Sequence, residues 1–534
     1  MKIKSFIPLA LLLTIGMVSI TGCQKGDLVD NPNVASSTGV VPPTLILNHL
    51  TAKMIRSDEQ PFGRGSKSAQ SVLSTYSYYF GDNNYAFGNT EDTYDLLKYA
   101  IALQAQAGGT TNKYYALSQF FKAYAGIWLS ERVGDIPFSQ AGNPSILTPK
   151  YDVQHDVYKS ALAMLDNANT ILGPIATASP GTLLDKTGDV FGLTNLQWQK
   201  LVNTYTLRVL ISLSKRASDN ADLNIPAKFA NIVNNPGTYP IMTGNEDNLV
   251  YHYNQAFNPY AILSLGLQPY NNYDGIGLPY INSTVPNADP RLLVVASATV
   301  SQVTAGVPAG SFAAFVGIDD NQTTAALYGL DAKTYSHSNY DRYFALPAAY
   351  TGANAEPFVF IGYPEMCFNI AEAINLGWVS GNSSSTWYNN GINASLALYN
   401  ITNGQTLTIG DYSGTTLGTA TVNLPAFLAN VAYKGDNAAG LAQIFTQRYV
   451  ALHLNSGFAA FLHWRRSVSN ANPNGIPAFS QGGAGIGTGG SNLIPRRWQY
   501  PANEAAYNSA NFNAAITSQF GGTDDPTKDT WLTK

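Results

Sequence analysis

Cysteine is nearly absent from this sequence. Only Cys23 and Cys367 occur among 534 residues, so the chain cannot rely on a disulfide framework. Cys367 lies among Met366, Phe368 and Ile370 and is expected to be a buried, small apolar residue. A large protein without disulfides must be held together by its hydrophobic core.

Charged residues are scarce as well. They make up 12% of the chain, about half of the roughly 25% that is usual for soluble proteins. The formal net charge is −4 and no basic stripe is visible, which argues against nucleic acid as a partner. Because 45% of the residues are hydrophobic, the chain can build a large core, and its surface must be covered mainly by uncharged polar side chains.

The common catalytic and metal-binding motifs are also missing. The chain has no G-x-S-x-G, G-x-x-x-x-G-K-[ST] or H-E-x-x-H motif, and its six histidines show no ligand spacing. Glu365 and Glu372 share an apolar helix, where arginine or backbone partners are a simpler interpretation than glycosidase chemistry. Asp82-Asn83-Asn84 offers oxygen atoms to calcium without EF-hand spacing, so a turn is favoured over a structural calcium site. We therefore predict no catalytic residue, no metal site and no cofactor, with this calcium site as the alternative.

The N-terminus resembles a bacterial lipoprotein signal. Lys2 and Lys4 precede an apolar segment at 6–20, too short to favour a spanning helix, and small residues lead directly to Cys23. We expect residues 1–22 to be removed and Cys23 to be acylated; an ordinary secretory signal is the alternative. Residues 23–43 are polar, contain proline and glycine, and are predicted to form a tether.

Helical periodicity dominates much of the remaining chain. From Tyr114 to Ala141, aromatic and aliphatic residues recur at helical spacing with small residues between them, until Gly134 and Pro137 end the helix. Such an aromatic helix requires packing partners. Further helices are predicted at 44–55, 91–107, from an N-cap at Asp152 to Gly173-Pro174, from a cap at Thr194 to 218, and at 226–235, 364–377, 385–399, 436–454 and 457–466, and after Pro501.

These helices predict a mainly α fold of tetratricopeptide-like helical hairpins. Residues 238–356 are richer in Pro, Gly, Asn and Tyr and contain β-prone pieces such as Leu292–Val303, so we predict a loop-rich insert carrying short strands. One domain is predicted over residues 44–534, with a helical scaffold at 44–237 and 357–466 and loop-rich, ligand-facing parts at 238–356 and 467–534.

Aromatic and amide side chains concentrate in two loop segments. They are SVLSTYSYYFGDNNYAFGN, residues 71–89, and QPYNNYDGIGLPY, residues 268–280. A sugar ring packs its apolar face on aromatic rings while amides bind its hydroxyl groups; alternatively, these tyrosines cover the core beneath the loops. The residues predicted to contact a ligand are Tyr78, Tyr79, Asn83, Asn84, Tyr85, Tyr270, Asn271 and Tyr273.

Short motifs follow one another along the whole mature chain. They are Asp30-Asn31-Pro32-Asn33, Gly134-Asp135-Ile136-Pro137-Phe138-Ser139-Gln140-Ala141, Pro149-Lys150-Tyr151-Asp152, Trp198 with Leu207-Arg208, Asp289-Pro290-Arg291, Tyr363-Pro364-Glu365, Gln447-Arg448-Tyr449, Trp464-Arg465-Arg466 and Tyr500-Pro501-x-x-Glu504. In their order and spacing the chain resembles the SusD/RagB-type nutrient-binding outer-membrane lipoproteins of Bacteroidota, most closely the divergent SusD-like branch. One departure is Ser467-Val468-Ser469, where that branch often has Thr-Gly-x-Pro.

This resemblance implies a binding protein that performs no chemistry. It implies a lipid anchor on the outer face of the outer membrane, and a SusC-like TonB-dependent transporter over which the lipoprotein closes as a lid. Ligands in the family are usually oligosaccharides, and peptides in some relatives. The leading hypothesis is a cell-surface lipoprotein that binds an oligosaccharide and delivers it to the transporter. The alternatives are a cell-surface glycoside hydrolase on a helical scaffold and a peptide-binding member of the same family.

Overall fold

The fold is dominated by α-helices, as predicted. The computed structural model describes residues 40–76, 85, 87, 92–254, 256, 258–260, 272–345, 355–481 and 494–534. The first block contains α1 (Pro43–Lys53), α2 (Arg64–Ser68), α3 (Tyr94–Gln106), α4 (Lys113–Val133), α5 (Gln154–Ala178), α6 (Asn195–Ser212) and α7 (Ile225–Asn234). The central part contains α8 (Leu278–Thr284), α9 (Pro290–Val295), α10 (Val300–Thr304), α11 (Thr324–Tyr328) and α12 (Tyr340–Tyr343). The rest contains α13 (Tyr363–Asn375), α14 (Ser384–Leu398), α15 (Leu424–Asn430), α16 (Ala438–Ala451), α17 (Ala459–Ser467), α18 (Ala502–Tyr507) and α19 (Ser509–Phe520).

Helices that follow one another along the chain pack side by side. In the first block α3 packs on α4, α4 on α5, α5 on α6 and α6 on α7. In the second block α13 packs on α14 and α16, and it also contacts α6, which joins the two blocks. This confirms the prediction of tetratricopeptide-like helical hairpins. Among the described helices, none is long and apolar enough to cross a membrane.

Helix α4 corresponds to the aromatic segment that required packing partners. Asn112 caps it, since its side-chain oxygen accepts a hydrogen bond from the Tyr114 N–H at 2.8 Å. Phe120 packs edge-on against Trp198 of α6 with the ring centres 5.8 Å apart. A Cβ atom at Gly126 would lie 2.4 Å from the Phe138 ring, so the loop after α4 can close onto the helix only where the side chain is absent.

Helix starts were predicted with mixed success. Thr194 caps α6 as expected and forms a capping box with Gln197. The assignment of Asp152 as a cap was wrong: α5 begins at Gln154, and the Asp152 carboxylate instead accepts hydrogen bonds from the N–H groups of Phe138 and Ser139. The predicted end at Gly173-Pro174 was also wrong, because the apolar face continues to the buried Ala176 and α5 runs through the proline.

The central part contains more helix than its composition suggested. The β-prone segment Leu292–Val303 forms most of α9 and α10 rather than a strand. Asp289 caps α9 by accepting a hydrogen bond from the Arg291 N–H at 3.0 Å, with Pro290 at the first helical position. The same carboxylate pairs with the buried Arg291 guanidinium at 2.5 Å. This local capping overrides the β propensity of the valines that follow.

Short strands occur where the central part meets the scaffold. β1 (Val72–Ser74) pairs antiparallel with β3 (Asp274–Ile276), and β2 (Leu249–Tyr251) pairs with β4 (Phe358–Ile361). A hairpin of β5 (Thr406–Gly410) and β6 (Thr416–Thr421) follows α14. Two of these pairings connect segments that are far apart in the chain, so they tie the insert to the helical blocks.

One hydrophobic core draws side chains from both helical blocks. Cys367 lies in it, fully buried and with a free thiol, as predicted. Separately, Leu73, Ile318, Leu327 and Tyr335 form a small cluster beside β1 and β3. This second cluster lies beneath the strand that follows Tyr273.

Candidate functional site

The two aromatic loop segments meet in space, although about 200 residues separate them in the chain. The register of β1 and β3 places Leu73 opposite Gly275 and Ser74 opposite Asp274. Beyond the strands, the Thr75 N–H donates a hydrogen bond to the Tyr273 carbonyl at 2.7 Å. Thr75 and Tyr76, which follow β1, therefore lie beside Asn272 and Tyr273, which precede β3.

Three tyrosines form a surface group at this junction. The Tyr76 and Tyr273 rings stack with centres 5.0 Å apart and an interplanar angle of 28°. Tyr328, at the end of α11, packs on Tyr76 at 5.2 Å and 39°, and 57% of Tyr328 is exposed. We call Tyr76, Tyr273 and Tyr328 the tyrosine platform. Contiguous, partly exposed aromatic rings of this kind suit the apolar face of a sugar.

The platform rests on the small cluster beside β1 and β3. Tyr335 is buried there, and its hydroxyl donates a hydrogen bond to the Asn272 carbonyl at 3.0 Å. Burial raises the pKa of Tyr335 to about 12, so this hydroxyl remains a donor at neutral pH. A Cβ atom at Gly275 would lie 2.5 Å from the Tyr335 ring. The absence of a side chain at Gly275 therefore allows Tyr335 to support the backbone next to Tyr273.

A buried ion pair lies behind the platform. The Lys67 ammonium is 3.5 Å from the Asp274 carboxylate, and both side chains are at most 2% exposed. Lys67 belongs to α2 and Asp274 is the first residue of β3. Because a buried charge is stable only near its partner, this pair holds the strand that carries Tyr273 against the helical scaffold.

The predicted ligand residues have different fates. Tyr273 lies in the tyrosine platform. The prediction that Tyr85 contacts a ligand was wrong, because its ring is fully buried. Its hydroxyl donates a hydrogen bond to the Ser68 carbonyl at 3.0 Å and accepts one from the Gln70 amide at 2.9 Å. It therefore belongs to the core, and no ligand can reach it. The other predicted ligand residues lie outside the described residues: Tyr78, Tyr79, Asn83, Asn84, Tyr270 and Asn271.

Two members of the platform, Tyr76 and Tyr328, were not among the residues predicted to contact a ligand. Tyr76 lies in the first aromatic segment, but nothing local distinguishes it from its neighbours. Tyr328 is a lone aromatic residue on a short helix, about 50 residues after the second segment. No sequence signal places Tyr328 beside Tyr76, because their contact depends on the packing of α11, whose Leu327 belongs to the same small cluster as Leu73 of β1.

The two carboxylates considered for glycosidase chemistry are already paired with arginine side chains. Glu365 accepts hydrogen bonds from Arg208 and lies 3.2 Å from His463. Glu372 accepts from Arg448 at 2.6 Å and from Arg466 at 2.7 Å. Despite burial, the arginines lower the pKa of both carboxyls to about 2. A general acid needs a pKa near the working pH, so these glutamates serve the scaffold, as the simpler interpretation held.

The cavity at the centre of the helical blocks is small. Its volume is about 60 Å³, and Tyr124, Tyr205 and Glu131 are among the residues that line it. A water molecule takes roughly 10–15 Å³ on this measure, so the cavity holds a few waters and no sugar ring. Its Glu59 carboxylate already accepts from Trp128 and Arg132 at 2.9 and 3.0 Å.

The calcium alternative rested on Asp82, Asn83 and Asn84, which lie outside the described residues. Within the described ranges, no group of three or more histidine, cysteine, aspartate or glutamate residues could hold a metal ion.

Comparison with known proteins identifies a family and several solved structures that share this architecture. The model of a family described as "SusD-like_2: Starch-binding associating with outer membrane" matches residues 36–501. Two solved SusD homologues from Bacteroides fragilis are each 26% identical to this chain and cover 92% of it, with TM-scores of 0.73 and 0.70; the match spans 100% and 99% of their own chains. A solved chitin-binding protein is 20% identical and has a TM-score of 0.62, with 92% of this chain and 100% of that one covered. No curated protein matches the chain.

The matched region includes both helical blocks, the insert and all three members of the tyrosine platform. The chain belongs to the SusD-like family of starch-binding proteins that associate with the outer membrane.

Proposed function

We propose that this protein binds an oligosaccharide at the cell surface through the tyrosine platform and passes it, unchanged, to a SusC-like TonB-dependent transporter. The observation that carries the proposal is the convergence of two distant aromatic segments on Tyr76 and Tyr273, joined by the exposed Tyr328. Contiguous exposed aromatic rings mark interaction sites more often than scattered ones do, and the C–H face of a sugar is a suitable partner.

The support beneath the platform favours a preformed site. The buried Lys67–Asp274 pair and the Tyr335 hydrogen bond hold the backbone around Tyr273 before any ligand arrives. Preorganised binding surfaces lose less conformational entropy on binding. Tyr78, Tyr79, Asn83, Asn84, Tyr270 and Asn271 are proposed as further ligand contacts, because they are neighbours in sequence of Tyr76 and Tyr273.

Binding without catalysis is the favoured mechanism. The carboxylates considered for a hydrolase, Glu365 and Glu372, are paired with arginines and have pKa values of about 2. A retaining or inverting glycosidase needs one carboxyl that carries a proton near neutral pH. The platform offers stacking surface, which suits capture of a glycan rather than cleavage.

Isothermal titration of the mature protein tests this proposal. Starch-derived oligosaccharides are the first ligands, given the description of the family, and chitin-derived ones the second, given the chitin-binding structural relative. We expect heat of binding with no shortening of the oligosaccharide by chromatography. Product formation would contradict a pure binder, and binding of peptides alone would favour the peptide-binding alternative.

The anchor and the partner are proposed from the sequence. Cys23 is proposed to be acylated, so that residues 23–43 tether the protein to the outward face of the outer membrane. Labelling with a palmitate analogue should mark the wild type and not Cys23→Ala. Co-purification from membranes should recover a large β-barrel transporter, whose gene is expected directly upstream. A Cys23→Ala variant that keeps both the label and the transporter would contradict the proposed anchor.

A further inference from the structure

A pocket that shares no lining residue with the tyrosine platform lies where α3, α18 and the connection from α4 to α5 meet. Its volume is about 370 Å³, within the range of roughly 300–1,000 Å³ that is typical of small-molecule sites. The segments Gly134–Ala141, Pro149–Asp152 and Tyr500–Glu504, which were distinctive in the sequence, all contribute to it or to its walls. The tyrosine platform leaves these segments without a function.

The walls of this pocket are held by specific hydrogen bonds. Asp152 binds the backbone N–H groups of Phe138 and Ser139, which closes the connection from α4. The Asn508 amide donates to the Pro149 carbonyl at 2.6 Å, and the Asn511 amide donates to the Thr148 carbonyl at 3.1 Å. The C-terminal helices are therefore fastened to the connection, and the pocket between them is preformed.

The polar side of the pocket carries carboxyl, hydroxyl and amide groups. The Glu504 carboxylate accepts a hydrogen bond from the Tyr151 hydroxyl. The Tyr94 hydroxyl is buried beside it and interacts with the same carboxyl group. Asn503 adds an exposed amide at the rim. A half-buried carboxylate that accepts hydrogen bonds, beside an exposed amide that both donates and accepts them, favours a ligand with several hydroxyl groups.

The apolar side of the pocket is unusually exposed. Tyr507 is 79% exposed and Leu147 is 88% exposed, and both line this pocket together with Leu97 and Pro137. An exposed aromatic ring beside amide and carboxyl groups matches a molecule with one apolar face and several hydroxyl groups. Lys98 and Glu504, which carry opposite charges, both line the pocket, so its lining favours a ligand without net charge. The polar wall disfavours a bare hydrocarbon.

We infer that this pocket is a second saccharide-binding site, specific for a neutral sugar unit that stacks on Tyr507 and hydrogen-bonds to Glu504 and Asn503. The inference rests on the proposed function, since it gives a second contact to the same class of ligand. A glycan that reaches both sites on one molecule gains avidity without a new contact at either.

Saturation-transfer NMR with neutral methyl glycosides and maltooligosaccharides tests the pocket directly. The mature protein is compared with a variant in which Tyr273→Ala and Tyr328→Ala weaken the platform, and Tyr507→Ala or Asn503→Ala is then added to that variant. We expect residual binding in the platform variant and a further loss of about three- to tenfold on adding Tyr507→Ala, as for removal of one stacking ring. Leu45→Ala, which removes another exposed apolar side chain, is the matched control and should change nothing.

The outcomes separate this inference from the proposed function. Wild-type binding that disappears in the platform variant supports the proposed function and overturns the pocket. Residual binding that ignores Tyr507→Ala and Asn503→Ala also overturns the pocket. Equal binding by the wild type and the platform variant, lost only with Tyr507→Ala, supports the pocket and overturns the platform. Binding of indole but of no glycoside would make the pocket a site for apolar groups and overturn its assignment to sugars.

Discussion

Buried charges are the strongest interactions at the residue scale. Glu372 lies between Arg448 and Arg466, and each of these side chains is at most 6% exposed. Such a group stays charged only because its partners compensate for lost hydration. Some of the few charged residues therefore lie inside the protein rather than on its surface.

Glu372→Gln should destabilise the fold by about 3–5 kcal/mol, because it leaves buried arginines without their counter-charge. Urea unfolding followed by circular dichroism measures the change. Asp222→Asn is the control, since Asp222 pairs with Lys159 at an exposed site where side chains are roughly half exposed; its effect should be much smaller. Equal effects of the two substitutions would contradict the role given to burial.

Tyr85 and Tyr328 should separate core from platform. Tyr85→Ala removes a fully buried ring and should cost about 3–5 kcal/mol of unfolding free energy. Tyr328→Ala removes an exposed ring, and we expect an unchanged melting temperature with affinity for the oligosaccharide lowered about three- to tenfold. Calorimetric melting and titration on the same samples measure both. A destabilised Tyr328→Ala with normal affinity would place Tyr328 in the core.

At the scale of elements, the pairing of β1 with β3 controls the site. The two strands are only three residues long, yet their register decides which side chains meet on the surface. A shift by one residue would turn Tyr273 to the other side of the strand. Gly275 and the Lys67–Asp274 pair are the features that oppose such a shift.

Gly275→Ala should weaken oligosaccharide binding and lower stability together, because the added methyl group would meet the Tyr335 ring and Ile318 at 2.5 and 2.7 Å. Gly181→Ala adds the same methyl group where no heavy atom lies within 4 Å, so it is the control for the substitution itself. Titration and thermal unfolding test the pair. Normal affinity in Gly275→Ala would show that the strand pairing does not position the platform.

The helices illustrate what sequence patterns predict well at this scale. α4 was foreseen from its aromatic periodicity, and the cap at Thr194 from its residue type. The cap at Asp152 was not, because an aspartate before a helix can equally bind a neighbouring loop, and here it binds the N–H groups of Phe138 and Ser139. Local sequence contains the capacity to cap, and tertiary contacts decide which N–H groups are used.

At the scale of the whole molecule, the buried ionisable groups predict acid sensitivity. Interaction with arginines lowers the pKa of Glu365 and Glu372 from 4.5 to about 2, so their stabilisation is complete above pH 4.5 and is lost as the pH falls to about 2. Burial lowers the pKa of His453 and His463 from 6.5 to about 3. Below pH 6.5 the unfolded chain therefore binds protons at these histidines while the folded chain does not, and this difference favours unfolding.

The unfolding free energy should therefore fall by several kcal/mol between pH 6.5 and 3. Burial acts in the opposite direction at Asp135, whose pKa it raises to about 6, and at Asp189, Glu356 and Glu504, whose pKa values it also raises, so these carboxyls offset part of the fall. Urea titrations at several pH values measure the trend, and His453→Leu should flatten its upper part. Stability that is constant or rises on acidification would contradict this assignment of the buried charges.

The sequence by itself determined the class of the protein. Helical periodicity, few cysteines, a lipoprotein-like N-terminus and ordered motifs were sufficient for the helical fold and the family, because these properties depend on neighbours along the chain or on composition. The position of the platform could not be obtained in this way. Tyr76, Tyr273 and Tyr328 are distant in sequence, and only the antiparallel pairing of β1 with β3 and the packing of α11 bring their rings together. Tyr85 looked equivalent to these tyrosines in sequence, and only its burial in the tertiary structure separates a core ring from a surface ring.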